Sequence, residues 1–426
     1  MKYKILIIFT LFSFGVFAQE SLSLEDAITK GLTNNYSVVA INKLQNISEL
    51  NNSWGKAGAF PFIDFKAGYS YSIDNDDFDR ANIRALNAGV NLNWTLFNGF
   101  AIRINKEKLA TLNDLSKGNT SVLVENTIQE IIIAYYNSLL QDKKLDVSLK
   151  LFNLSKDRYE KAKSHKSIGT SGVYQVLQAK NSYLEDKSKL LLQKSVYNNS
   201  IRDLNLLMGE NSEKRYMLIS SFVANNDEYI LANLLDRMKS SNNVLKNQYL
   251  ALNINEMEIL LAKSIYYPRL GVTAGASYID SNMDYRTNAD RDNTKKILSA
   301  GLNLSYTLFN GGNNRRAVRI AKLQKEIGEI KKEEILLKLS NTMASALEMY
   351  NVRKQMYILA DENMKTAELN LKLSLEKFNT GVISSFNYRD VQMLYLNASI
   401  SRLNSIYMLI GANTYLVKLT GGLLRE

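Results

Sequence analysis

The feature that most constrains this chain is an internal duplication. Asn91-Leu-Asn-Trp-Thr-Leu-Phe-Asn-Gly99 recurs as Asn303-Leu-Ser-Tyr-Thr-Leu-Phe-Asn-Gly311, with seven of nine positions identical. The only two prolines, Pro61 and Pro268, stand at equivalent places before these stretches. Gly169 and Gly381 follow at the same 212-residue offset. A period this long is too great for a solenoid and reads as two copies of one structural unit. Such a chain folds as a pseudosymmetric pair, so whatever one copy does locally the other is expected to echo.

Residues 19–208 form the first repeat and 228–426 the second, joined by a linker at 209–227. Each opens on an amphipathic helix. Ser23-Leu-Glu-Asp26 has the spacing of a capping box, and the pattern then predicts helix to about Lys56. In the second copy it predicts helix from Asp227 to about Ala262. Each proline then ends its helix, because the residue before proline is pushed out of the helical region.

Two alternating stretches follow each proline. Ile63, Phe65, Ala67, Tyr69, Tyr71 and Ile73 alternate with polar or small residues, and Leu86, Ala88, Val90, Leu92, Trp94 and Leu96 do the same. Leu270, Val272, Ala274, Ala276 and Tyr278, then Leu298 through Leu308, repeat the arrangement. These predict hairpins over 62–97 and 269–309, with strands of about eleven or twelve residues. A soluble sandwich alternates equally well. Tilted strands of this length also cross a bilayer. Two hairpins cannot close a barrel within one chain.

From 99 to 168 and from 311 to 380 the chain has no proline and almost no glycine, which predicts helices about 100 Å long at 1.5 Å per residue. Leu336, Met343, Tyr350, Tyr357, Met364, Leu371 and Phe378 fall seven apart without a break. Val124, Ile131, Leu145, Phe152 and Tyr159 echo them, with the seam interrupted at Ser138. A sustained heptad means coiled-coil packing against neighbouring helices. Gly169 and Gly381 turn the chain back into shorter helices over 172–208 and 384–419.

Residues 1–18 have the anatomy of an export signal. Lys2 and Lys4 precede an apolar run, and Val16-Phe17-Ala18 offers a cleavage site before Gln19. Removal of the two lysines takes the net charge from +11 to +9. No later stretch is long and apolar enough for a membrane-spanning helix.

Composition narrows the function classes. With no cysteine and His165 as the single histidine, a disulfide framework, a thiol nucleophile and a His/Cys metal cluster are excluded. No phosphate loop, nucleophile elbow or catalytic carboxylate pair is present, so the chain is not expected to be an enzyme or to carry a cofactor. The basic residues are scattered among acids along helices rather than gathered in a stripe, so nucleic acid is not an expected partner. His165 lies among Lys161, Lys163 and Lys166 and reads as a solvated basic helix end, or as a surface for an acidic partner. Asp74 to Asp79 and Asp284 to Asp292 lack the glycine and closing glutamate of a calcium loop, and read as solvated hairpin tips.

The duplicated helix–hairpin–long helix–helix unit, the Thr-Leu-Phe-Asn-Gly junctions, and the turn Gly381-Val-Ile-Ser384 followed by Asn387, Asp390 and Gln392 resemble the TolC family of outer-membrane efflux ducts. That resemblance spans essentially the whole mature chain. It implies a mainly α fold with a small membrane β-barrel part. A homotrimer would build a twelve-strand β-barrel in outer-membrane lipid, continued by a twelve-helix α-barrel into the periplasm. It implies export of small toxic compounds or secreted proteins with an inner-membrane pump and a periplasmic adaptor (membrane fusion) protein.

The family's Asn-Pro in each first helix is missing here: Asn34-Asn35-Tyr36 and Asn242-Asn243-Val244 stand instead. At the tunnel entrance the family often carries two aspartates three residues apart. The matching positions are Asn387 and Asp390, and Gln175 and Gln178 in the first copy. The resemblance makes these four the expected pore entrance, with Gly169 and Gly381 at the tips as the adaptor contact. Three copies of Asp390 around an axis would form a charge ring. The alternative is an envelope scaffold anchored by the same barrel and conducting nothing.

Overall fold

The structure, a computed structural model, describes residues 20–76, 79–169, 172–224, 226–285 and 291–424. The export signal read at 1–18 lies outside these residues, as do the centres of both hairpin tips. In chain order the elements are β1 (Glu20–Leu22), α1 (Leu24–Asn34), α2 (Tyr36–Asn51), α3 (Trp54–Ala57), β2 (Phe62–Asp76), β3 (Asp79–Asn98), α4 (Ala101–Ser167) and α5 (Val173–Met208). There follow β4 (Tyr216–Leu218), α6 (Leu231–Ser241), α7 (Asn243–Ser264), β5 (Arg269–Tyr285), β6 (Arg291–Ser305), α8 (Asn313–Asn379) and α9 (Ser385–Leu419). Among the described residues no helix is long and apolar enough to cross a membrane.

The capping box at Ser23 forms: its hydroxyl accepts from the Asp26 amide at 3.0 Å, and its own amide donates to Asp26 Oδ2 at 3.2 Å. The first helix does not run unbroken to Lys56, however. Asn35 leaves the helical region at φ −59°, ψ 124°, and its amide still donates to Gly31 O, closing α1. Its side-chain oxygen accepts from the Ser37 amide at 2.9 Å and so opens α2. Asn242 does the same between α6 and α7: its amide bonds Met238 O at 3.0 Å, and its side chain caps Leu245 at 3.1 Å. One asparagine serves as both stop and start. The break therefore persists without proline, and the apolar periodicity running through it hid the break in the sequence.

The chain divides into two compact units, one of residues 1–39, 124–234 and 343–426 and one of 40–123 and 235–342. In the first, β1 and β4 pair in parallel over a core of Leu22, Ala27, Ile131, Tyr135, Leu139, Leu204, Met208 and Tyr216. The Tyr135 hydroxyl donates to Leu22 O at 2.8 Å and accepts from the Ser220 amide at 3.2 Å, tying this core to both strands.

The heptad seam packs as the spacing requires. Met343 and Tyr350 have no exposed surface and Leu371 is buried, with Tyr357, Met364 and Phe378 half-buried. Three residues after Met343, Tyr357, Met364 and Leu371 sits a small residue, and these four, Ala346, Ala360, Ala367 and Ser374, are buried. Large-then-small alternation lets neighbouring helices approach closely. The interruption at Ser138 has the same cause. Ser138 is fully buried, and its hydroxyl lies 3.0 Å from the Ser200 carbonyl of α5, a close approach that a leucine would block.

In the second unit β2, β3, β5 and β6 form one antiparallel sheet in that order. The register carries the rows Phe65–Val90–Ala276–Leu298 and Ile63–Leu92–Ala274–Ala300 across all four strands. Directly opposed residues share a face. One face is therefore apolar across these rows, with polar side chains entering it further along at Lys296, opposite Tyr278, and Asp280, opposite Leu86, while Asp64–Asn91–Gly275–Ser299 lies on the other face. Leu298 is 87% exposed and Phe65 68% exposed on that apolar face.

The strands run 15 to 20 residues rather than eleven or twelve, because pairing continues past the apolar stretch into polar residues such as Ser281 to Asp284. β6 stops at Ser305, short of the expected Leu308. β3 continues to Asn98 because β5 accompanies it there, through a register shift between Thr95 and Phe97. β6 has β5 on one side only, and β5 begins at Arg269, opposite Ser305.

The repeated junction glycine is required at least once. Gly99 has φ +66°, and a Cβ there would lie 2.3 Å from the Ser264 carbonyl. From these junctions α4 and α8 each run 67 residues, about 100 Å of helix.

Candidate functional site

The two helix turns lie in the first unit. α4 ends at Ser167 and Gly169 takes φ +80°; α8 ends at Asn379 and Gly381 takes φ +78°. Glycine reaches this left-handed region without the penalty a Cβ brings. At the second turn the Gly381 amide donates to Phe378 O at 3.1 Å and the Val382 amide to Lys377 O at 2.9 Å, satisfying carbonyls the helix end leaves open. Ser384 then caps α9 by accepting from the Asn387 amide at 3.2 Å. At the first turn Gly172 has no side chain to cap with, and Gln175 Oε1 accepts from the Gly172 amide at 3.1 Å.

The residues expected at the entrance do not all come together. Asn387 and Asp390 are exposed one turn apart on α9, Gln175 is exposed at the start of α5, and Gln178 is half-buried. Arg389 is level with Asp186 of α5, to which it is bonded. Gln178 is two helical turns nearer the first turn than Asp186, so it stands about 12 Å along the bundle from the Asp390 level. Other contacts carry the same stagger. Arg158, eleven residues before Gly169, reaches Ser385, four after Gly381; Lys161, eight before Gly169, reaches Asn379, two before Gly381. The first turn thus projects past the second by roughly 10 Å of helix rise. Within one chain the first-copy glutamines and the second-copy Asn387–Asp390 pair occupy different levels.

The side chains that bind this region together are ones the sequence pattern did not single out. Asp186, 1% exposed, receives both Nη1 and Nη2 of Arg389 at 2.7 and 2.8 Å. This bidentate fork is the strong form of the pair. Its removal of Arg389 from Asp390 leaves the latter exposed rather than neutralised by its sequence neighbour. Arg158, 3% exposed, donates Nη1 to the Ser385 carbonyl at 3.2 Å. Burial, then the neighbouring charge of Arg389, pull its guanidinium down to about 10, against the support of Asp186. Tyr388 and Gln392 are buried alongside, and the Phe378 ring stacks on Tyr388 at 4.9 Å. Burial pushes the Tyr388 phenol up.

A signal for this cluster existed. At the 212-residue offset Arg158 answers to Asn370, Asp186 to Ala398, and Arg389 to Leu177. Three charges whose counterparts in the other copy are uncharged fall in one buried place.

The first turn is also the more basic. Lys161 donates to Asn379 Oδ1 at 2.9 Å and Lys163 pairs with Glu160 at 3.4 Å, while Lys166 and His165 are exposed. Exposed Ile168, Val173 and Tyr174 surround Gly169. Among the described residues no group of three or more His, Asp or Glu could hold a metal ion.

Residues 234–422 match the family model of the outer membrane efflux proteins. Two Pseudomonas putida proteins, the solvent efflux pump outer membrane protein SrpC and the toluene efflux pump outer membrane protein TtgI, are 24% identical over 177 residues. That stretch is 42% of this chain and 36% of each relative, so the match spans about a third of the curated relatives' length. In fold the likeness extends much further. The Campylobacter jejuni CmeC outer membrane channel superposes over 94% of this chain and 85% of its own at a TM-score of 0.75 and 15% identity. CusC covers 94% and 92% at 0.74 and 14%, and the Vibrio cholerae outer membrane protein VceC 94% and 96% at 0.71 and 13%. The fold is that of the TolC-like outer-membrane channels. The family whose sequence signature the second repeat carries, the outer membrane efflux proteins, is one of channels rather than enzymes.

Proposed function

We propose that this chain is the outer-membrane duct of an export system, extending from the outer membrane into the periplasm. The observation that carries this reading is the open sheet: four strands longer than a bilayer core requires, an exposed apolar band on one face, and, among the described residues, edges at β2 and β6 that no strand pairs. Such edges are closed by other copies. Three copies give twelve strands in outer-membrane lipid and a helical tunnel below them, in the manner of the resembling family.

The cargo class is small toxic compounds or secreted proteins. The relatives named for solvent and toluene efflux favour apolar small molecules. An inner-membrane pump would supply energy through a periplasmic adaptor docked at the turns around Gly169 and Gly381, and Asp390 with Asn387 would ring the entrance, with Gln175 and Gln178 at a second level. Mass measurement in mild detergent checks the assembly: a trimer is expected, and a monomer or dimer contradicts it. Deletion of the gene should sensitise cells to apolar toxic compounds or abolish secretion of a protein cargo; a scaffold predicts neither.

A further inference from the structure

The buried cluster beside the second turn carries more positive charge than its own residues balance. Two guanidiniums, Arg158 and Arg389, face one carboxylate, and both oxygens of Asp186 are taken by Arg389. Among the described residues Arg158 has one hydrogen bond, to a neutral carbonyl, and its Nε and Nη2 have none. The other acids nearby do not fill the gap. Glu185 is paired with Lys189, Asp361 with Arg402, and Asp157 and Asp390 are exposed. A buried charge left without a counter-charge is strongly destabilising.

Around Arg158 stand further unused donors. Among the described residues the Tyr388 hydroxyl and the Gln392 amide make no well-aligned hydrogen bond, though the two side chains act on each other. Ser385, Tyr388 and Gln392 follow one another at i, i+3 and i+7, so they share the face of α9 that Arg158 reaches, and the Arg158 charge acts on the Tyr388 phenol. Gln392 has no exposed surface. Phe378 stacks over Tyr388 and, with Leu371, Leu375 and Tyr395, encloses it in apolar side chains.

We propose that Arg158, Tyr388 and Gln392 bind a small monovalent anion of the chloride class, which joins α4 to α9 beside the second turn. A water molecule could satisfy the same donors but would leave the charge uncompensated; a halide satisfies both. The burial of Arg158 and Gln392 excludes ligands larger than a simple ion. The site is specific to one side of the duplication, because Asn370, the counterpart of Arg158, brings no charge.

Thermal unfolding of the full chain in detergent tests the proposal, with sodium chloride compared against sodium gluconate at equal ionic strength. A ligand that binds only the folded state raises its stability. Chloride should lift the wild-type midpoint by about 2 °C or more. Arg158→Met should abolish that difference, and Lys166→Met, an exposed control, should keep it. Crystals grown in bromide give a direct reading that does not depend on the variant folding. An anomalous peak within hydrogen-bond distance of Arg158 Nε or Nη2 is expected. Equal chloride responses in wild type and Arg158→Met, or bromide crystals without that peak, overturn the site.

Discussion

At the first turn the chain passes from α4 to α5 through Gly169; at the second it passes from α8 to α9 through Gly381. The two glycines differ by two degrees in φ, and the two long helices are equal in length at 67 residues. Their chemistry differs. The first turn projects further, is rich in lysine, and begins its return helix with a glutamine standing in for a cap. The second is recessed, capped by Ser384, and backed by α9 residues that hold Arg158 and Asp186 of the first copy. Duplication therefore preserved the backbone path and left the side chains free to diverge.

The largest expected effect comes from breaking the equality of the long helices. Deleting Leu336 to Thr342, one heptad of α8 alone, shifts Met343 to Phe378 against unchanged neighbours. Size-exclusion chromatography should show loss of the assembled species. Full assembly would mean that register is not what holds the helices.

Next comes the charge pair that joins the two copies, Asp186 with Arg389. Asp186→Leu strands Arg389 and Arg158 in a buried place and should cost about 3–5 kcal/mol by denaturant unfolding. Adding Arg389→Leu should recover part of that loss, since an apolar pair replaces an unpaired charge. Strict additivity of the two changes would show that the fork carries no coupling.

Gly169→Ala and Gly381→Ala should each cost about 1 kcal/mol, and by similar amounts, because added Cβ atoms meet open space at both turns and only backbone strain remains. A clear inequality in the same unfolding experiment would place a hidden contact at one turn.

The smallest effect on stability belongs to Asp390→Asn, within about 0.5 kcal/mol for an exposed side chain. Its consequence should instead be electrical: weaker cation preference, with Asn387→Asp acting in the opposite direction. Reversal potentials in a salt gradient measure both, and identical values for wild type and the two variants would remove Asp390 from the entrance.

Much of the fold was legible because its signals are long-range and periodic. The alternation over Ile63–Ile73 and Leu86–Leu96 located the paired strands, and the seven-residue row to Phe378 located a buried seam. What stayed hidden depended on single side chains or on partners far along the chain. Asn35 and Asn242 break helices through one amide group each, against a pattern that reads as continuous. β6 ends where its neighbour β5 begins, a property of the pair and not of the segment. The turn glycines could be read from the repeat, whereas Asn387 and Asp390 were marked only by the family resemblance. The Arg158–Asp186–Arg389 cluster could not be assembled from periodicity, since its members come from three helices. Its one mark in the sequence is that none of the three has a charged counterpart in the other copy.

The central claim is that copies of this chain enclose a continuous conducting path. Planar-bilayer recording of the purified full chain tests it most directly. Discrete conductance steps, altered in ion preference by Asp390→Asn, are the result expected of a duct. Inserted, correctly assembled protein that passes no current under any applied voltage would contradict it and leave the scaffold reading in its place.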